Sequence, residues 1–131
     1  MIKRLAIIPA RGGSKRIKQK NIKLFCGKPI IYYSIQNAKK SKLFSKIHVS
    51  TNSIKIKNIA QKYGASLDFM RPNYLSKDNV TLLKVMTSLV KKFYKLGYRY
   101  DEVWLIMPCT PLIDHKDLIN ASRFFKTGTF N

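Results

Sequence analysis

Leu5-Ala6-Ile7-Ile8 is apolar on every side, stops at Pro9 and is far too short for a buried helix. Such a run is a strand buried on both faces. A strand of that kind belongs to a mainly parallel sheet covered by helices, so the rest of the chain must supply them.

The downstream pattern does so. Pro29 suits the first position of a helix whose Ile31, Ile35 and Ala38 share a face. Ile47 and Val49 alternate with polar residues as a second strand. Ser53 is placed to cap a helix carrying Ile56, Ile59, Ala60 and Tyr63 on one side, with Gly64 at its end. Ala65 to Met70 is a candidate third strand. Asp78 or Asn79 starts a longer helix with Leu82, Met86, Leu89, Val90 and Phe93 inward and Gly97 closing it. Val103 to Met107 is a near-continuous apolar strand. Asp114 caps a last helix bearing Leu118, Ala121, Ser122 and Phe125, which Gly128 ends. Arg11 to Lys28 is left as one long loop, of the kind that is functional or disordered in a compact domain. The spacing predicts a single α/β domain over residues 1–131, with a mainly parallel sheet and helices on both faces. Residues 128–131 read as the approach to a further strand.

Ligands of such sheets bind beyond the carboxyl ends of the strands. Three segments qualify: Arg11 to Lys28, Ser50 to Ser53, and Pro108 to Asp114. The first is the most loaded. Residues 1–28 hold nine basic side chains and no acidic one. Gly12 and Gly13 allow close approach of the main chain to a ligand, Ser14 adds a hydroxyl, Arg11 a planar fork, and Lys15 and Lys20 point charges. A polyphosphate finds both charge and directed donors there, although a basic loop that touches nothing in particular is the plainer alternative. The known phosphate motifs do not match: Ile22 and Pro29 stand where a Walker loop needs Gly and Ser or Thr, and GxGxxG is absent.

Charge extends well beyond that loop. Lys and Arg number 26 against 6 Asp and Glu, a net charge of +20. Twenty of the 26 are Lys, scattered over surface-type positions such as Lys55, Lys57, Lys62, Lys91, Lys92 and Lys95. Specific nucleic-acid contacts favour clustered Arg with interleaved aromatics, so solvated lysine faces are the simpler reading. No apolar run approaches membrane-spanning length, and the N-terminus lacks a cleavable signal pattern, which predicts a cytoplasmic protein without a membrane partner. Cys26 and Cys109 are far apart with no CxxC, so neither a disulfide scaffold nor a zinc site is expected. His48 and His115 have no ligand partner at useful spacing.

Residues 8–16, Ile-Pro-Ala-Arg-Gly-Gly-Ser-Lys-Arg, then Lys20-Asn21-Ile22 and Gly27-Lys28-Pro29, resemble the N-terminal signature of the acylneuraminate cytidylyltransferases, the CMP-sialic acid synthetase family. The similarity continues through Val49-Ser50-Thr51, Tyr63-Gly64-Ala65, Arg71-Pro72, Leu75, Asp78 and Pro108, and so spans the chain. Within the family it leans to the pseudaminic-acid branch, on residues 25–29, 41–44 and 81–86.

The resemblance implies a Rossmann-like nucleotidyltransferase fold of the nucleotide-diphospho-sugar transferase type. It implies transfer of CMP from CTP to a nine-carbon acidic sugar, pseudaminic acid or a related sialic acid, with release of pyrophosphate. Arg11 and Lys20 are then the candidate catalytic cations. Arg11, Gly12, Gly13, Ser14, Lys15, Lys20 and Asn21 match the CTP-binding loop, and Arg71 matches an arginine at the substrate cleft. An exposed Arg71 fixing the turn before Pro72 is an equal alternative. Asp78 is read as a helix cap, and Thr81 as a helix-face residue. Mg²⁺ is the implied cofactor, with no ligand on this chain, because the family's acidic metal ligands lie beyond the equivalent of residue 131. The resemblance therefore implies an N-terminal portion, truncated or degenerate, completed by a homodimer or a complementary polypeptide. Three positions depart from the family pattern: Lys18 for Pro, Asn52 for Asp, and Met107 for Gln. The alternatives are a nucleotide-binding remnant without turnover and a basic nucleic-acid-binding protein.

Overall fold

The computed structural model describes residues 1–129. The predicted approach to a further strand depends on Phe130 and Asn131, which lie outside the described residues. The elements run β1 (Arg4–Pro9), β2 (Leu24–Phe25), β3 (Lys28–Pro29), α1 (Ile31–Ser41), β4 (Lys46–Ser50), α2 (Ile54–Lys62), α3 (Leu82–Lys95), β5 (Glu102–Leu105) and α4 (His115–Thr127). Short 3₁₀ turns cover Lys20–Ile22 and Asn73–Leu75.

The predicted central strand is the middle of the sheet. β1 pairs in parallel with β4 on one side and β5 on the other, giving the order β4-β1-β5. Its residues alternate between two cores. Ala6 and Ile8 pack with Ile31, Ile35, Val49, Ile56, Ala60 and Leu118, under α1, α2 and α4. Leu5 and Ile7 pack with Val85, Leu89 and Phe93 of α3 on the opposite face. The central strand is therefore covered from both sides, and truncating Ile8 to Ala would cost about 2–5 kcal/mol.

Helix ends follow the local chemistry. Ser53 accepts from the Ile56 N–H as the α2 cap, and Asp114 and Asp117 form a reciprocal capping box on α4. Gly64, Gly97 and Gly128 take positive φ at or just past the ends of α2, α3 and α4.

Four expectations are corrected. Residues 11–28 are not structureless: they contain a 3₁₀ turn and the β2–β3 hairpin, turned by Cys26 and Gly27 at φ 48° and 81°. Pro29 pairs with Leu24 in that hairpin, and α1 begins two residues later. The third strand reduces to one parallel bridge, His48 with Ser66, because the chain bends at Asp68–Phe69. Thr81, not Asp78 or Asn79, caps α3 by accepting from the Lys84 N–H at 3.2 Å. In addition, β5 is covered on one face only: Val103 and Leu105, on the α3 side, are exposed.

One polar residue sits inside the α3-side core. His48 is fully buried against Phe69 and Phe93, and neither ring nitrogen has a hydrogen-bond partner among the described residues. Burial pushes its pKa down to about 4; Asp68 opposes this, while Lys46 and Arg71 add to it. The ring is neutral at pH 7 and behaves as part of the apolar packing.

Candidate functional site

The three predicted strand-end segments meet above the carboxyl edge of the sheet. Gly12 bonds Asn52, and Cys109 bonds Asn21, which links the first segment to the other two. Beneath them, one backbone carbonyl ties the ends of β1 and β4 to Arg71. Ser50 O, at the end of β4, accepts from the Ala10 N–H at 2.8 Å and from Arg71 Nη2 at 2.8 Å. Arg71 Nε also donates to Ser50 Oγ at 2.9 Å, and the Arg71 N–H to Thr51 O at 2.8 Å. Arg71 is buried, which excludes the reading of an exposed turn residue. Burial lowers its pKa to about 10, with the Arg11 charge contributing, so it stays cationic at neutral pH.

The loop after β1 is held down residue by residue. The Gly12 N–H donates to Asn52 Oδ1 at 2.9 Å. A Cβ on Gly12 would stand 2.9 Å from Ser53 Cβ, so only glycine lets the loop cross the start of α2 this closely. The Ser14 hydroxyl donates to Ile17 O at 2.6 Å and accepts from the Lys20 N–H at 3.1 Å, closing residues 14–20 into a turn. Asn21 is buried beneath, donating to Arg11 O at 3.1 Å and accepting from Cys109 Sγ at 3.3 Å. The Cys109 thiol is half-buried, and burial raises its pKa.

Above this base the charged side chains converge. Arg11 Nη1 reaches Ser76 O at 3.2 Å and Asp78 Oδ1 at 2.6 Å, and Lys15 Nζ reaches Asp78 Oδ2 at 2.5 Å. Lys15 and Arg11 hold the Asp78 carboxyl below the usual carboxylate range. Arg11, Lys20 and Asp78 border two adjoining cavities. One, about 180 Å³, also takes in Asn21, Arg71, Lys77 and Met107. The other, about 500 Å³, also takes in Ser14, Lys15 and Arg16. The first has an apolar wall from Leu75, Val80, Leu82 and Val85, so it offers a cationic side to an anion and a dry side to an organic group.

Of the predicted residues, Arg11, Ser14, Lys15, Lys20, Asn21 and Arg71 border these cavities, whereas Gly12 and Gly13 border neither. Gly12, Ser14 and Asn21 use their donors to shape the loop, and Arg11, Lys15 and Lys20 present the charge. Lys77, Asp78 and Asn52 were not singled out as site residues. Asp78 and Asn52 find their partners, Arg11, Lys15 and Gly12, on a distant segment, so no local pattern marks them, and Lys77 is marked only by its place at the cavity.

The sequence model of the cytidylyltransferase family matches residues 5–123. This chain belongs to the cytidylyltransferase family. A pseudaminic acid cytidylyltransferase from Campylobacter jejuni subsp. jejuni is 41% identical to it, over 98% of this chain and 59% of that protein. A CMP-N,N′-diacetyllegionaminic acid synthase from Legionella pneumophila is 39% identical, over 93% of this chain and 53% of that protein. The chain thus spans little more than half the length of these relatives. Among solved structures, the CMP-2-keto-3-deoxy-manno-octonic acid synthetase in complex with CTP superposes at a TM-score of 0.76, with 22% identity. It covers 95% of this chain and 48% of that one, and shows a shared nucleotidyltransferase fold. In this cytidylyltransferase-family chain, no helix among the described residues is long and apolar enough to cross a membrane. Nor do three His, Cys, Asp or Glu side chains among them cluster as a metal site. Among the described residues Asp78 is the single carboxylate bordering the two cavities, and two cations occupy its oxygens. These residues do not by themselves fit a Mg²⁺ centre.

Proposed function

We propose that this chain binds CTP, with the triphosphate over Arg11, Lys15 and Lys20 and the nucleoside toward Arg71. The whole protein to which such a chain corresponds transfers CMP to a nine-carbon acidic sugar of the pseudaminic or sialic type. The anomeric hydroxyl oxygen of the sugar attacks the α-phosphorus. A P–O bond forms there, the bond to the β-phosphate oxygen breaks, pyrophosphate leaves, and the hydroxyl proton passes to solvent. Such chemistry depends on positioning and on neutralising charge. Arg11, Lys15 and Lys20 supply positive charge, Ser76 O and Asp78 hold Arg11, the Ser14-closed turn carries Lys15 and Lys20, and Arg71 is anchored by Ser50. Mg²⁺, which the family implies, would add a second source of charge neutralisation. Use of CTP agrees with a cytoplasmic location.

The observation that carries this reading is the convergence of Arg11, Lys15 and Lys20 around cavities at the carboxyl edge of the sheet, in a chain whose family assignment covers the same residues. Isothermal calorimetry of the 131-residue chain with CTP, with ATP as control, tests it. Binding of CTP, with ATP weaker by roughly tenfold or more, is expected. Turnover with candidate sugar acids then separates an active enzyme from a chain that binds nucleotide and goes no further. Absence of CTP binding by a folded chain would reject the reading.

A further inference from the structure

The chain has six carboxylates, and five serve the scaffold. Asp68 pairs with Lys46, Glu102 holds Arg4 and Trp104, Asp101 accepts from the Lys3 N–H, and Asp114 and Asp117 cap α4. Asp78 is different. It caps nothing, since Thr81 has that role, and its two oxygens face the two cations of the loop after β1. A carboxylate bound by Arg and Lys through separate oxygens presents the same pattern as a phosphate edge. Both ion pairs are open to water: the side chains of Arg11, Lys15 and Asp78 are 33%, 82% and 43% exposed. Exposed pairs are weak and exchangeable, so a polyanion can replace one.

We infer that Asp78 is an internal counter-anion, which occupies the phosphate position on Arg11 and Lys15 and is displaced when a triphosphate binds. The inference rests on the proposed nucleotide site and adds a competitor to it. In the empty site the carboxylate keeps both cations extended toward the cavity. A triphosphate, with several charges, displaces it. A group carrying a single negative charge competes poorly, so the same carboxylate favours release of a CMP-linked product once pyrophosphate has gone. Arg11 also donates to Ser76 O, and that bond holds Arg11 over the smaller cavity when Asp78 leaves.

The test is a titration of the wild-type chain, Asp78→Asn and Asp78→Ser with inorganic tripolyphosphate, CTP and cytidine, without divalent cations. Thermal unfolding verifies that each variant is folded. Both variants are expected to bind tripolyphosphate and CTP about tenfold more tightly than wild type. Cytidine, which lacks phosphate, is expected to bind all three alike. A purely structural role for Asp78 would instead weaken all ligands together. Unchanged or weakened tripolyphosphate binding in both folded variants would overturn the inference. Tighter tripolyphosphate binding with no CTP binding in any chain would uphold the counter-anion and reject the nucleotide reading.

Discussion

The loop after β1 and the outer face of α3 are both rich in cations, yet they are built on different plans. The α3 face is the roomier: Lys84, Lys91, Lys92 and Lys95 line an open groove of about 710 Å³ beside Tyr74. No acidic residue lies within α3, and Lys92 rests over the Phe69 ring at 4.4 Å. On the loop, by contrast, Arg11 is fixed by Ser76 O and Asp78, and the main chain beneath it by Asn21, Asn52 and Ser14. In a chain of net charge +20, positive charge alone marks nothing. What separates the two regions is that one holds its charges at defined points over a cavity.

The core beneath α3 also walls the smaller cavity through Val80 and Val85, so acid that loosens it should reach both regions. The α3 side leans on His48, whose pKa of about 4 lies below the ordinary 6.5. The unfolded chain therefore takes up a proton near pH 6.5 that the folded chain refuses until about 4. Stability is full above pH 6.5 and falls through this window, by about 3 kcal/mol in total. Urea unfolding at a series of pH values checks this, and His48→Leu should flatten the curve between those limits. A wild-type curve already flat there would remove His48 from the account.

Next in size is the loss of a cation at the cavity. Arg11→Ala should weaken CTP binding by about 2 kcal/mol, and Lys20→Ala by about 1 kcal/mol. Calorimetry that finds both variants unchanged would break the distinction drawn between loop and groove. The smallest effect is expected on the α3 face. Replacing Lys91 and Lys95 together by Ala should leave CTP affinity within about twofold and stability within about 0.5 kcal/mol. A large loss of CTP affinity there would transfer the site to α3.

Much of the fold was legible because its signals are local. Leu5 to Ile8 marks the central strand, and Ser53, Asp114, Gly64, Gly97 and Gly128 mark helix ends through contacts made within a turn. The β2–β3 hairpin escaped because two-residue strands carry no periodicity and Cys-Gly is a rare turn pair. The third strand failed on the bend at Asp68–Phe69, which takes the chain to Lys46 and His48. At the site, the residue types of the loop were readable and their division of labour was not. Gly12, Ser14 and Asn21 shape the loop because Asn52, Ile17 and Arg11 O are their partners. Asp78 lies 67 residues from Arg11 in the chain, and nothing in its neighbourhood distinguishes it from a helix cap.

The Ser50 carbonyl, which takes hydrogen bonds from both Ala10 and Arg71, has a consequence in time as well as in space. The amides of Ala10 and Arg71 sit where the ends of β1 and β4 are tied to Arg71, so deuterium should enter them only through cooperative opening of the sheet edge. The Lys20 amide hangs on an exposed serine hydroxyl and should exchange through local fluctuation of the turn alone. The site thus joins a slow base to a fast arm, and a ligand caught by the arm is held against a floor that does not give.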